Sequence, residues 1–177
     1  MARLDLSSIP VLSGTGYPPP FDEIVNGRSR QALGAAGGLT QFGVNLVELK
    51  PGAASSQRHW HSEVDEFVMV VSGELTLVTD EGDTLMRAGD YAAFPAGAPN
   101  GHHLVNRSWG NALLLAIGPE SQTDRATYPD IDLVYEGSTD SYTKRDGTPY
   151  PKRDAATAAA QPVVEEHDLK PRVYRHE

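Results

Sequence analysis

Arg58-His59-Trp60-His61-Ser62-Glu63-Val64-Asp65-Glu66, joined downstream by Gly101-His102-His103, decides how this chain is read. Two histidines at i and i+2 share a face only on an extended backbone, where side chains alternate with period two. On a helix the same spacing would turn the rings roughly 200° apart. A strand presents His59 and His61 as neighbours, about 6.6–6.8 Å apart along the chain. A carboxylate at Glu66 and an imidazole at His102 could complete a nitrogen- and oxygen-rich cage for a divalent transition metal. Any one of the six histidines taken alone reads as a surface or core residue. The clustering is what points to ligation, histidine's commonest special role.

Outward from this stretch, strand signals follow in quick succession. Thr40–Leu49 alternates in part and ends at Pro51-Gly52. Residues 55–61 carry the histidine pair, and the β-branched apolar run 66–72 stops at Gly73. Residues 74–79 alternate, Glu81-Gly82-Asp83 reads as a hairpin turn, and 83–86 returns. Residues 91–94, 102–106, 112–117 and 131–135 complete the set. Short strands every 8–12 residues with Gly and Pro between them predict an all-β sandwich or barrel. The runs 67–71 and 113–117 are apolar on both faces. They therefore need cover on both sides, which predicts a second sheet, an arm or a partner subunit, and a homodimer. Residues 1–39 are rich in Pro, Gly and Ser and read as an N-terminal arm with one or two short strands at most. Asp154–Ala160 is alanine-rich with an Asp able to cap. It is too short for a stable isolated helix and reads equally as a linker.

Glycine, proline and asparagine recur in order around the histidines: Pro51-Gly52, His59, His61, Glu66 and Gly73, then Gly89, Pro95, Gly97, His102 and Asn106. These two blocks resemble the two motifs of the cupin family, small β-barrel proteins that hold a metal inside the barrel. In the first motif a glycine precedes two histidines, a glutamate and a closing glycine; the second runs glycine, proline, glycine, histidine, asparagine. Six residues separate Gly52 from His59, one more than is usual in the family, and a strand bulge would absorb the extra residue. Four separate Gly97 from His102, two more than usual, which lengthens the turn Ala98-Pro99-Asn100-Gly101. The resemblance covers roughly residues 40–118. It implies a single-domain jelly roll: an arm at 1–39, a core barrel at 40–118 and a C-terminal extension at 119–177 that packs on the barrel or on a partner subunit.

The same resemblance implies His59, His61, Glu66 and His102 as metal ligands. His103 remains the alternative to His102, although the spacing to Asn106 favours His102. Asp65 and Glu63 compete with Glu66, which alone satisfies both its own gap and the six-residue gap to Gly73; the other two read as solvated turn charges. By strand parity Arg58 and Trp60 point away from the ligands. Three imidazoles and one carboxylate suit Fe, Mn, Ni, Co or Zn as the divalent cofactor. Ligation needs deprotonated rings, so affinity should fall below histidine's ordinary pKa of about 6.5.

Similar proteins include isomerases, epimerases, lyases, decarboxylases, dioxygenases and sensing domains, and fold alone does not choose. The leading expectation is a metal-dependent isomerase or lyase acting on a small oxygen-rich metabolite. The alternatives are an Fe(II) dioxygenase and a non-catalytic binding module. Glu66, Tyr91 and His103 are the candidate proton carriers, and Arg58, Arg87 and Arg107 the candidate anion anchors. Net charge is −9, with 24 carboxylates against 15 cations, which argues against nucleic-acid or anionic-membrane partners and leaves a small-molecule ligand. No run approaches the roughly 20 apolar residues of a membrane span, and no apolar leader is visible, so a cytoplasmic location is expected. The absence of cysteine excludes thiolate ligation.

Overall fold

The two most apolar runs of the chain, Glu66–Ser72 and Ala112–Gly118, lie side by side at the middle of the largest sheet in a computed structural model that describes residues 3–152. The alanine-rich segment 154–160 lies outside the described residues. Thirteen strands are present among those described: β1 (Leu12–Ser13), β2 (Arg28–Ala32), β3 (Gly43–Leu49), β4 (Trp60–His61), β5 (Glu66–Ser72), β6 (Glu74–Thr79), β7 (Gly82–Arg87), β8 (Tyr91–Phe94), β9 (His103–Val105), β10 (Ala112–Gly118), β11 (Arg125–Tyr128), β12 (Leu133–Glu136) and β13 (Ser141–Thr143). Helix is confined to short turns, the longest being Leu33–Ala36. The molecule is an all-β jelly-roll sandwich of antiparallel strands.

A six-stranded sheet runs β1-β2-β3-β10-β5-β8, a three-stranded sheet β7-β6-β9, and a four-stranded sheet β13-β12-β11-β4. The inward faces follow period two. Val68 and Val70 of β5, Leu114 of β10 and Leu49 of β3 are buried and pack on Leu75, Met86 and Leu104 of the three-stranded sheet. β5 and β10 shift register between Leu113 and Leu114, a bulge that leaves Val71 without an opposite number. Gly73 closes β5 at φ +76°, and a Cβ there would stand 2.9 Å from the Asn111 carbonyl. Only glycine fits both the backbone and the space.

The sequence reading placed a strand over residues 55–61. The structure instead bends the chain at 55–58 and extends it only at Trp60–His61, with an isolated bridge between His59 and His102. The extra residue before His59 is thus taken up in this bend, which is held from outside. Arg28 donates to the Ser55 carbonyl (2.6 Å), the Gln57 side chain donates to the Phe21 carbonyl (2.8 Å), and Tyr17 Oη accepts the Gln57 N–H (3.3 Å). Asn106 is fully buried. Its amide donates to the carbonyls of Leu49 (2.7 Å) and Gly110 (2.8 Å), tying the β9–β10 turn to β3.

Candidate metal centre

Four side chains from separate stretches converge inside the sandwich. His59 stands just before β4, His61 lies in β4, Glu66 opens β5, and His102 stands just before β9. The Nε2 atoms of His59 and His61 are 3.0 Å apart. Glu66 Oε2 lies 2.7 Å from His102 Nε2, 3.6 Å from His61 Nε2 and 3.8 Å from His59 Nε2. Donors held about 2.0–2.2 Å from one shared ion can stand up to about 4 Å apart, so the 3.0–3.8 Å separations among His59, His61 and Glu66 suit a common coordination sphere, whereas the 2.7 Å contact of His102 with Glu66 is a hydrogen-bond length. The ligand atoms of His59, His61 and Glu66 all lie within 4.8 Å of one another, a group that could hold a metal ion, and His102 adjoins it through Glu66.

Two of the imidazoles are fastened on the outward nitrogen: His59 donates Nδ1–H to the Gln57 carbonyl at 2.9 Å, and His61 Nδ1 meets Asp124 Oδ2 at 2.5 Å. His102 is held on the inward side, its Nε2 2.7 Å from Glu66 Oε2, with Nδ1 3.4 Å from the Asn100 carbonyl. With Nδ1 carrying the proton, the Nε2 lone pairs of His59 and His61 face each other with no hydrogen between them. Such a contact is repulsive unless a cation lies between the atoms, and a proton is disfavoured. Burial, with the neighbouring His61 and His102, pushes the His59 ring down to about 4 even though Glu66 pulls the other way. Burial alone would raise the Glu66 carboxyl. The hydrogen bond with His102 and the surrounding imidazoles outweigh it and hold the group near 2. At neutral pH the cluster therefore offers a neutral His59 ring and an ionised Glu66 carboxylate, protonation states that metal binding needs.

Phe94 stacks on His102 with ring centroids 3.6 Å apart and planes 2° from parallel, fixing that ring from its apolar side. Tyr128 stacks on His59 at 5.6 Å. A cavity of about 110 Å³ adjoins His61 and His102, walled by Trp60, Val64, Phe94, Pro95 and Asn100. Parity placed Trp60 on the far side of its strand. It reaches this cavity because the turn after β8 wraps the free edge of β4, where the Gly97 N–H donates to the His61 carbonyl at 2.8 Å.

The other candidates fall elsewhere. His103 turns away, its Nδ1–H donating to the Ser56 carbonyl at 2.9 Å. Tyr91 stacks on Phe67 at the outer face and is 71% exposed. Glu63 accepts from Thr123 Oγ1 (2.6 Å), and Asp65 accepts from the Ala96 N–H (2.8 Å). Arg58 is committed to Asp130 and Asp80, Arg107 to Asp83 and Arg87 to Glu74, so none is an open anion anchor. Asp124, the carboxylate on His61, escaped the sequence reading altogether. It follows the polar run Ser121-Gln122-Thr123, which looks like any loop, and no local pattern links it to a histidine 63 positions earlier.

A family model described as a cupin domain matches residues 45–118. Among solved structures, a sugar phosphate isomerase of the cupin superfamily from Silicibacter pomeroyi is similar over 85% of this chain and 97% of its own, at 49% identity and a TM-score of 0.81. A protein from Acidithiobacillus ferrooxidans, provisionally described as a sugar phosphate isomerase, aligns over 71% of this chain and 81% of its own at 26% identity and a TM-score of 0.63. A polyketide cyclase from Streptomyces resistomycificus, at 20% identity and a TM-score of 0.54, covers 67% of this chain and 79% of its own and shares the fold alone. No protein of curated function matches the sequence.

Proposed function

The chain belongs to the cupin superfamily, and from that premise we propose that it is a metal-dependent isomerase acting on a small oxygen-rich metabolite of the sugar phosphate kind. The observation that carries this reading is the pair of Nε2 atoms of His59 and His61 3.0 Å apart, with the Glu66 carboxylate beside them. Three imidazoles and one carboxylate hold a divalent first-row ion while leaving coordination positions free. Such an ion, when bound, acts as a Lewis acid toward substrate oxygens. His59, His61, Glu66 and His102 would hold it. Trp60 and Asn100 flank the approach through the adjoining cavity, and Phe94 and Val64 keep the inner wall dry. The likeness to the Silicibacter pomeroyi isomerase supports isomerisation ahead of the other chemistries found on this fold.

The test is anaerobic turnover. Protein reconstituted separately with Fe(II), Mn(II), Ni(II), Co(II) and Zn(II) is incubated with a panel of aldose and ketose phosphates, and interconversion is followed by NMR. Interconversion without oxygen uptake supports the proposal. Oxygen consumption with Fe(II) would reassign the protein as a dioxygenase, and saturable binding without conversion would make it a binding module.

We further infer a homodimer built on the outer face of the six-stranded sheet. Phe67, Met69 and Val71 of β5 and Tyr91 of β8 stand exposed there as one apolar strip. Contiguous apolar surface of this sort marks an interaction site. Sedimentation of the wild type against Met69→Glu checks it. A dimer converted to a monomer is expected, and a monomeric wild type would refute it. Among the described residues no helix is long and apolar enough to cross a membrane.

A further inference from the structure

We propose that Asp124 is a positioning residue for the metal centre, its carboxylate fixing the tautomer and the orientation of His61. The inference rests on the metal-binding reading above, but it concerns a residue beyond the span matched by the family model, which ends at residue 118.

Asp124 is only 4% exposed, and a carboxylate is costly to bury unless its oxygens are satisfied. Oδ1 accepts the Glu63 N–H at 3.0 Å and Ser62 Oγ–H at 3.3 Å. Those two bonds lock the carboxylate to the chain immediately after His61. Oδ2 is thereby left aimed at His61 Nδ1, 2.5 Å away. If Asp124 served only to pin residues 62–63, Oδ2 would have no need to meet the ring. Instead it accepts a hydrogen bond from Nδ1–H, which leaves the Nε2 lone pair facing His59 and Glu66.

The three rings differ in this respect. At Nδ1, His59 and His102 face backbone carbonyls, at 2.9 and 3.4 Å, and of the three rings only that of His61 meets a carboxylate on this nitrogen. A carboxylate acceptor makes an imidazole a more basic donor and holds it in one orientation. His61 is therefore the strongest and best-fixed nitrogen of the set. Its orientation is supplied by the strand pair β4–β11, in register Ala126↔His61 and Thr127↔Trp60, which sets Asp124 beside the ring.

The experiment uses the full-length chain in two states. In metal-free wild type, ¹⁵N-edited NMR of the histidine rings should show His61 protonated at Nδ1, with that proton shifted far downfield, and the signal should vanish in Asp124→Ala. In Co(II) titrations followed by visible absorbance, Asp124→Ala should bind roughly 10- to 100-fold more weakly than wild type. Asp124→Asn keeps a neutral acceptor and should recover part of that loss. If Asp124→Ala does not fold, the wild-type NMR and the Asp124→Asn titration decide the matter. An Nε2-protonated His61 in wild type overturns the proposal, as does unchanged Co(II) affinity in folded Asp124→Ala or, should that variant not fold, in Asp124→Asn. Wild-type protein that binds no Co(II) overturns the metal-binding reading instead, while the tautomer measured without metal still stands as the separate test of Asp124.

Discussion

Between the six-stranded and three-stranded sheets the core is aliphatic, built on Leu49, Val70, Leu75, Leu104 and Leu114. Behind β11 and β12 it is aromatic. Tyr17, Tyr128 and Leu133 are buried there, with Phe21, Tyr135, Tyr142 and Tyr150 packed against them. Tyr17 meets Tyr128 edge to face, with centroids 5.7 Å apart and planes at 84°, and lies 5.6 Å from Tyr142. Aliphatic packing has no direction, whereas an aromatic pair prefers defined geometries and each phenol needs a partner for its hydroxyl. Burial pushes the Tyr17 and Tyr128 phenols up, so the cluster stays neutral. The aliphatic core thus supplies volume, and the aromatic one, shared by residues 17–25 and the C-terminal strands, supplies orientation. The histidine strand β4 lies on the seam, paired with no strand but β11.

Removing a proposed ligand should have the largest effect. His61→Ala should weaken Co(II) binding by more than about 100-fold, beyond what loss of a supporting carboxylate produces, with the far-UV spectrum unchanged. Retention of tight binding would separate β4 from the metal centre.

Cavities on the two sides of the seam come next. Leu114→Ala in the aliphatic core and Leu133→Ala in the aromatic one should each cost about 2–5 kcal/mol in urea unfolding. If the regions form one cooperative unit, both variants shift the same single transition. Two transitions, with only one moving in each variant, would split barrel from extension.

Acid should act at the seam itself. The folded chain protonates His59 near 4 rather than the ordinary 6.5, so the unfolded state binds more protons between those values. Stability of the metal-free protein is full above about pH 6.5 and is lost as pH falls toward 4, by on the order of 3 kcal/mol. Glu66, held near 2 against an ordinary 4.5, extends the loss below pH 4.5. A melting temperature that stays flat from pH 7 to 4.5 would contradict this.

Ion pairs give the smallest and most discriminating contrast. Arg58 joins Asp80 of the barrel to Asp130 of the extension and also donates to the Gly101 carbonyl at 3.2 Å. Its partners are about half exposed, so Arg58→Ala should cost only about 1–2 kcal/mol. Arg107 pairs with Asp83 wholly on the surface, and Arg107→Ala should cost less than about 0.5 kcal/mol in the same denaturation. Equal costs would deny Arg58 any bridging role.

The barrel was legible because its residues announce themselves locally. Runs such as 66–72 alternate or are apolar throughout, Gly73 ends a strand where only glycine fits, and the resemblance to the cupin motifs singled out His59, His61 and Glu66, which the fold brings together. The arm and most of the extension were not legible for the same reason, although the strand expected at 131–135 is present as β12. Arg28-Ser29-Arg30-Gln31-Ala32 forms β2 with no apolar alternation, because its stability comes from pairing with β3. β11 and β13 are three or four residues long and largely polar. One signal was present and unread: Tyr128, Tyr135 and Tyr142 recur every seventh residue, and the hairpins bring all three into one cluster. Asp124 had no such mark, since its meaning lies in a contact across 63 positions.

Gly101, one residue before His102, sits beneath the extension so tightly that a Cβ there would stand 2.7 Å from the Pro129 ring. A protein engineer lifting the histidine cup out as a portable cassette cannot therefore trim it at the family boundary. The graft has to travel with its overhanging hairpins through Thr143, or the imidazoles arrive without their scaffolding.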